Sequence, residues 1–177
     1  LTDGRVIDIP WLPRQLLVRG IIAPFRSNSS AKLYKQLWTK EGSPLKFYGE
    51  RLAEGVQKEL GNEYIVELAM RYQNPSIASV LGKLMSNQIR ELIVIPLFPH
   101  YASASTGSVY EEVMRLLSKK QAIPSLKIVN SFHDYEPMID VFVKNSKKYD
   151  LDSYDHILFS YHGLPQRQMK KADTCNH

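Results

Sequence analysis

The sequence predicts an α/β fold with a parallel sheet flanked by helices, on three observations. Strand-like and helix-like segments alternate through the middle of the chain. The helical stretches between strands reach the ten or more residues that a parallel crossover needs. Leu92-Ile93-Val94-Ile95-Pro96-Leu97-Phe98 is an almost unbroken apolar run, the pattern of a parallel strand covered on both faces. The 177 residues suffice for one domain with a proper core, or for one domain and a piece of another.

Each element has a local reason. Residues 7–13 carry too many prolines for a regular element, and a short helix over about 14–22 is expected to stop before Pro24. Ser29-Ser30 offers an N-cap to a helix carrying Leu33, Leu37 and Trp38. Gly42-Ser43-Pro44 ends it, and Ser43 and Pro44 suit the cap and first position of a helix that stops at Gly61-Asn62. Residues 64–70 alternate as a strand does, and a helix follows Asn74-Pro75, with Ile77, Val80, Leu81 and Leu84 on one face. Residues 91–98 are the apolar strand, and residues 102–108 form a small-residue loop. Val109, Val113, Leu116 and Leu117 then define the helix 108–120. A short strand over 126–129, a helix over 136–149 and a strand over 154–161 complete the expected order.

Composition narrows the class. Hydrophobic residues at 44% and charged residues at 23% are ordinary for a globular protein. No apolar run approaches the roughly 20 residues of a membrane span. The start lacks a secretory h-region and an initiator Met, which points to a piece of a longer chain. One cysteine, Cys175, rules out an intrachain disulfide framework and fits a reducing, cytoplasmic compartment. The +5 net charge is spread over short pairs such as Lys119-Lys120 and Lys170-Lys171, so it suits an anionic small molecule or membrane surface. No helix-turn-helix, zinc-finger or aromatic RNA-binding signature supports nucleic acid as a partner. G-x-x-x-x-G-K-[ST] and G-x-G-x-x-G are both missing, which argues against P-loop and dinucleotide binding.

Three loops are expected to converge on the carboxyl-terminal rim of the sheet, where ligands bind in open α/β folds. They are 71–75, 99–107 and 162–165, holding Arg71, Tyr72, two histidines and several hydroxyls. His162 stands where the apolar run 157–159 ends and Gly163 and Pro165 follow, so an imidazole is delivered to a strand-end loop. Simpler readings stand beside these. Arg71 can pair with a surface carboxylate, Ser105-Thr106-Gly107 can be only an N-cap, and His133 and His156 read as structural or surface groups.

Four segments carry a resemblance. Glu41-Gly42-Ser43-Pro44-Leu45, Met70-Arg71-Tyr72, Pro96-Leu97-Phe98-Pro99-His100-Tyr101 with Ser105-Thr106-Gly107, and Ser160-Tyr161-His162-Gly163-Leu164-Pro165 occur in the order and spacing of the ferrochelatase family. The chain resembles the first half of such an enzyme, beginning after the family's first strand. The resemblance implies two similar Rossmann-like domains, with residues 1–150 in the first and 151–177 opening the second. It implies Fe²⁺ insertion into a porphyrin (protoporphyrin IX or coproporphyrin III), with Fe²⁺ as substrate and no organic cofactor. His162 matches the family's catalytic histidine, a proton acceptor, a metal ligand or both. Arg26, Tyr34, Ser43, Arg71 and Tyr72 match macrocycle-contacting positions. Phe98 stands there too, in place of a tyrosine common in the family. Alternatives are a related chelatase acting with cobalt or on sirohydrochlorin, and a non-catalytic tetrapyrrole or metal carrier. A single Cys175 cannot hold an iron–sulfur cluster, which takes four ligands. Residues 7–25 suit either an apolar lip on a membrane or a cover for the cleft. The resemblance places the family's acidic partner to the histidine outside this chain, and with most of the second domain lacking, the cleft is open on one side, so the chain alone is expected to be inactive.

Overall fold

A computed structural model describes residues 2–172. Among them the elements run α1 (Trp11–Leu16), α2 (Ala23–Leu37), α3 (Pro44–Leu60), α4 (Ile77–Ser86), β1 (Glu91–Val94), α5 (Ser108–Leu117), β2 (Ser125–Ile128), α6 (Glu136–Ser146) and α7 (Gln166–Ala172). β1 and β2 pair in parallel, with Leu92 opposite Leu126 and Val94 opposite Ile128, and α5 is the crossover between them. The expected α/β class with a parallel sheet flanked by helices is the class observed.

The core lies where α4 and α5 cover this sheet. Ile77, Val80, Leu81 and Leu84 project from one face of α4, and Val109, Val113 and Leu117 from one face of α5, all packed with Leu92. Met85, Ile89, Val94, Leu116, Leu126 and Ile128 close its edges. The i, i+3, i+4 spacing of these residues is why both segments are helices here. Ser76 caps α4, its hydroxyl accepting from Ser79 N–H at 3.1 Å. β1 is shorter than expected and covered on one face only: Leu92 is buried while Ile93 is exposed. Pro96 has no N–H to extend the ladder, and Phe98 N–H turns back to the Pro96 carbonyl at 2.7 Å.

Other expectations are corrected. The helix expected to stop before Pro24 does not stop. A π-helical stretch at Leu17–Ile22 joins α1 to α2, and the wider turn takes the register change that the missing N–H of Pro24 imposes. Ser29 and Ser30 consequently lie inside α2 instead of capping it, and Ser29 Oγ donates to the Arg26 carbonyl. Residues 102–108 are no plain loop, because Ser103–Gly107 form a π-helical turn running into α5. Residues 64–70 are extended but not a strand. Gln57 takes their hydrogen bonds, accepting from Val66 N–H at 2.9 Å and donating to the Gly61 and Tyr64 carbonyls. Leu68 presses on Gly49 of α3, where even a Cβ would stand 3.0 Å from its methyl. Gly61 ends α3 at φ +69°, the left-handed region that favours glycine.

The strand expected over 154–161 is also absent. Its apolar run meets no ladder partner among the described residues, and an apolar run alone does not make a strand. Leu158, Phe159 and Tyr161 are 90%, 76% and 75% exposed. The docking of α7 on the amino-terminal segment has no local signal in the sequence. Arg167 donates to the Asp8 carbonyl at 2.8 Å, Lys171 to the Asp8 carboxylate at 2.7 Å and Gln168 to the Val6 carbonyl at 3.3 Å. Cys175 lies outside the described residues.

Leu117, 2% exposed at the end of α5, tests where the core sits. Leu117→Ala is expected to cost roughly 2–4 kcal/mol in urea unfolding of this chain, whereas Leu45→Ala, on an exposed turn of α3, should stay within about 0.5 kcal/mol.

Candidate functional site

The polar centre of the molecule forms around a residue with no local signal in the sequence. Asp3 Oδ2 accepts from Ser108 Oγ at 2.6 Å, Tyr72 Oη at 2.7 Å and Arg71 Nη2 at 3.0 Å, while Oδ1 accepts from Arg5 N–H at 2.8 Å. Arg71 Nε adds bonds to Ser108 Oγ at 2.8 Å and to the Ser108 carbonyl at 3.1 Å. Its guanidinium also lies 4.7 Å over the Tyr72 ring. Arg71 therefore pairs with a carboxylate, as the simpler reading held, but with a buried one: the Asp3 side chain is 8% exposed.

The charges explain one another. Burial works to raise the Asp3 carboxyl, yet hydrogen bonds from Ser108, Tyr72 and the Arg5 backbone, with the Arg71 charge, outweigh it and hold the group below the usual carboxylate range. Burial raises the Tyr72 phenol, and the Asp3 carboxylate adds to that against the Ser108 bond, so the phenol keeps its proton. Ser108 is fully buried at the start of α5. Ahead of it, Thr106 is fully buried with no partner for its hydroxyl among the described residues, and a Cβ on Gly107 would stand 3.1 Å from the Arg5 and Tyr101 side-chain tips, a tight contact. Ser105-Thr106-Gly107 makes no side-chain cap for α5. Arg5 reaches across to Ser103 Oγ at 3.1 Å and to the Glu111 carboxylate.

Two of the three expected loops meet here, since Arg71 and Tyr72 bond Ser108 at the end of the 99–107 turn. The third comes alongside: Tyr161 stands edge-on to His100 with ring centroids 6.4 Å apart, and His100 stacks on His133 at 4.8 Å. Phe132 N–H donates to the Pro99 carbonyl at 2.9 Å and ties the loops after β1 and β2 together. A shallow surface depression lies beside them, lined by Ser131, Phe132, Asp134, Tyr135, Glu136 and Pro137. His162 is exposed, on the unpaired segment between Tyr161 and α7. Phe98 is half-exposed on the loop after β1.

Arg26 and Tyr34 are exposed on α2, a helix with no buried residue. Ser43 stands at the N-cap position of α3 without making a side-chain cap bond. Among the described residues, no hydrogen bond or ion pair joins these three to the Asp3 cluster. Nor does any group of three His, Cys, Asp or Glu side chains among them converge to hold a metal. Asp3, Arg5 and Ser108 escaped sequence reasoning because their partners lie some tens to a hundred residues away, and no short-range pattern encodes that. The hydroxyl directly before Val109 was the one available hint for Ser108.

The arrangement offers a protonated phenol, a guanidinium with Nη1 unused among the described residues, and imidazoles and aromatic rings on one rim. Such a surface can hold a flat ligand with anionic groups and can exchange protons or bind a borderline metal. Comparison with known proteins shows the family. A family model described as Ferrochelatase matches residues 1–176. A ferrochelatase of Legionella pneumophila (strain Paris) is 43% identical over 172 residues, covering 97% of this chain and 51% of the relative. One of Coxiella burnetii (strain RSA 493 / Nine Mile phase I) is 42% identical over 172 residues, 97% of the chain and 48% of the relative. One of Idiomarina loihiensis is 36% identical over 180 residues, 98% of the chain and 49% of the relative. The chain spans about half the length of these curated relatives.

The depressed Asp3 carboxyl makes a signed prediction. A carboxylate held below its unfolded value contributes stability above about pH 4, and that contribution is lost as pH falls through the folded value. Asp3→Asn should therefore cost about 1–3 kcal/mol at pH 7 in urea titrations, with the gap to the parent narrowing below about pH 4. A pH-independent gap would mean that the charge of Asp3 does not matter.

Proposed function

The chain belongs to the ferrochelatase family, and from that membership we propose that it supplies the amino-terminal half of an enzyme inserting Fe²⁺ into a porphyrin. The family match over nearly the whole chain carries this reading. The proposed substrate is protoporphyrin IX or coproporphyrin III, the metal is substrate, and the reaction needs no organic cofactor. Residues 1–150 are proposed as the first Rossmann-like domain and 151–177 as the opening of the second, with the porphyrin between them. The unpaired segment 154–161 then finds its sheet neighbours in the second half. The enzyme is proposed to work in the cytoplasm. No helix among the described residues is long and apolar enough to cross a membrane. Trp11, Leu12, Leu16 and Phe25, exposed along α1 and α2, offer a surface for peripheral membrane contact or for covering the cleft.

The chemistry sets the roles. Metal insertion removes two pyrrole N–H protons, and a bent ring presents its nitrogen lone pairs better than a flat one. Binding energy from the ring's apolar body and its carboxylates can sustain that distortion. Tyr34, Tyr72 and Phe98 are proposed to contact the ring, and Arg26 and Ser43 its polar edge. Arg71 is proposed to take a carboxylate through Nη1, since Asp3 and Ser108 occupy Nη2 and Nε. This internal pairing orients the guanidinium but offsets much of its charge, so its part is geometric more than attractive. His162, exposed and next to the His100 contact, is proposed to accept a pyrrole proton or to ligate Fe²⁺.

His162→Ala in the full-length protein should lower iron insertion by at least about 10²-fold while porphyrin affinity stays close to that of the parent. Anaerobic stopped-assay spectrophotometry of metalloporphyrin formation, with fluorescence titration of the porphyrin, reads both. Turnover near that of the parent would remove His162 from the reaction.

A further inference from the structure

We propose that His100 and His133 form a two-imidazole site for a borderline divalent cation on the carboxyl-terminal rim of the sheet. The stacked rings must turn about χ2 before their in-plane lone pairs converge, so the binding stands on the spacing of the two rings and on their nitrogens, free among the described residues. That the cation is the enzyme's metal substrate, held on its way to His162, rests on the chelatase reading above.

Four observations carry the site. The two residues come from different loops, one after β1 and one after β2, on the rim where parallel α/β sheets bind ligands. Their rings lie 4.8 Å apart at an interplanar angle of 22°. Two imidazole nitrogens about 2.0–2.1 Å from one cation, at square or tetrahedral angles, place their ring centroids roughly 4.5–5 Å apart. The backbones are held at this spacing by the Phe132-to-Pro99 hydrogen bond, so little chain entropy remains to be lost on binding. Both residues are exposed and no protein hydrogen bond occupies their ring nitrogens among the described residues, so the rings can turn about χ2 toward a shared ion.

The surroundings fit a cation and a transient stay. Asp134 and Glu136 line the shallow depression beside His133, adding negative charge without converging as ligands. Two neutral nitrogen donors with water completing the shell select Fe²⁺, Zn²⁺ or Ni²⁺ over Ca²⁺ or Mg²⁺. They hold the ion far more weakly than a four-ligand structural site does, which suits a cargo that must leave. Tyr161, edge-on to His100, precedes His162 in the chain, so the pair borders the proposed catalytic histidine.

The experiment titrates ZnCl₂ calorimetrically, without porphyrin, into the full-length protein carrying His162→Ala, which removes the other candidate ligand. One site of micromolar affinity is expected, weakened by about tenfold or more when His100→Gln and His133→Gln are added. Equal affinity in the variant with all three substitutions would overturn the site. His133→Gln alone, exposed and on a loop, guards against a folding defect: circular dichroism should match the parent while affinity still falls, and unchanged affinity would again overturn the site. With His162 intact, His133→Gln should raise KM for the metal several-fold at constant kcat. An unchanged KM alongside lost Zn²⁺ binding would overturn the link to the reaction while leaving the chelatase reading untouched.

Discussion

The parallel pairing of Glu91–Val94 with Ser125–Ile128 is the constraint on which the rest depends. Parallel neighbours run the same way, so both strands release their loops on one rim, and the return between them requires a helix. That helix, α5, is amphipathic and brings Val109, Val113 and Leu117 onto the sheet with α4, which forms the core. One short ladder thus decides two things. It sets where apolar side chains can be removed from water, and it puts residues 99–107 and 130–135 within reach of each other. The Phe132-to-Pro99 hydrogen bond and the stacked histidines depend on that placement.

On this frame the Asp3 carboxylate acts as a tie. It gathers Arg71 and Tyr72 from the loop before α4, Ser108 from the start of α5 and Arg5 from its own amino-terminal turn. A buried charge with this many donors costs less to keep than to half-satisfy, which is why removing one partner matters more than any single bond suggests. The tie also limits function. Arg71 is oriented and partly neutralised at once, so in its proposed role it offers a ligand a fixed nitrogen instead of a free cation. α7 is pinned to Val6 and Asp8, so the segment carrying His162 is anchored downstream by the same amino-terminal stretch that supplies Asp3.

Local physics was legible in the sequence, and long-range pairing was not. α3, α4, α5, α6 and β2 came close to expectation because apolar period, caps and breakers lie within a few residues of one another. Pro24 misled because a π-helical register can absorb a missing N–H, a solution no nearest-neighbour rule anticipates. Residues 64–70 alternate and residues 154–161 carry an apolar run, both strand-like, but a strand exists only with a partner. Gln57 replaces the partner for the first, and no described residue supplies one for the second. Arg71 and Tyr72, which the structure brings together at Asp3, stood out through motifs, as did the exposed His162. Asp3 did not, its side-chain partners being 68 and more residues distant. His133 read as a bystander because its neighbour His100 is brought to it only by the sheet.

The central claim is that the strand-end rim holds the porphyrin, and hydrogen–deuterium exchange of the full-length protein with and without porphyrin tests it most directly. The account predicts slowed exchange in peptides covering 70–75, 99–107 and 158–165, with the opposite sheet end around residues 85–90 and Ile123 unchanged. Protection confined to that opposite end, or none at the rim, would contradict it.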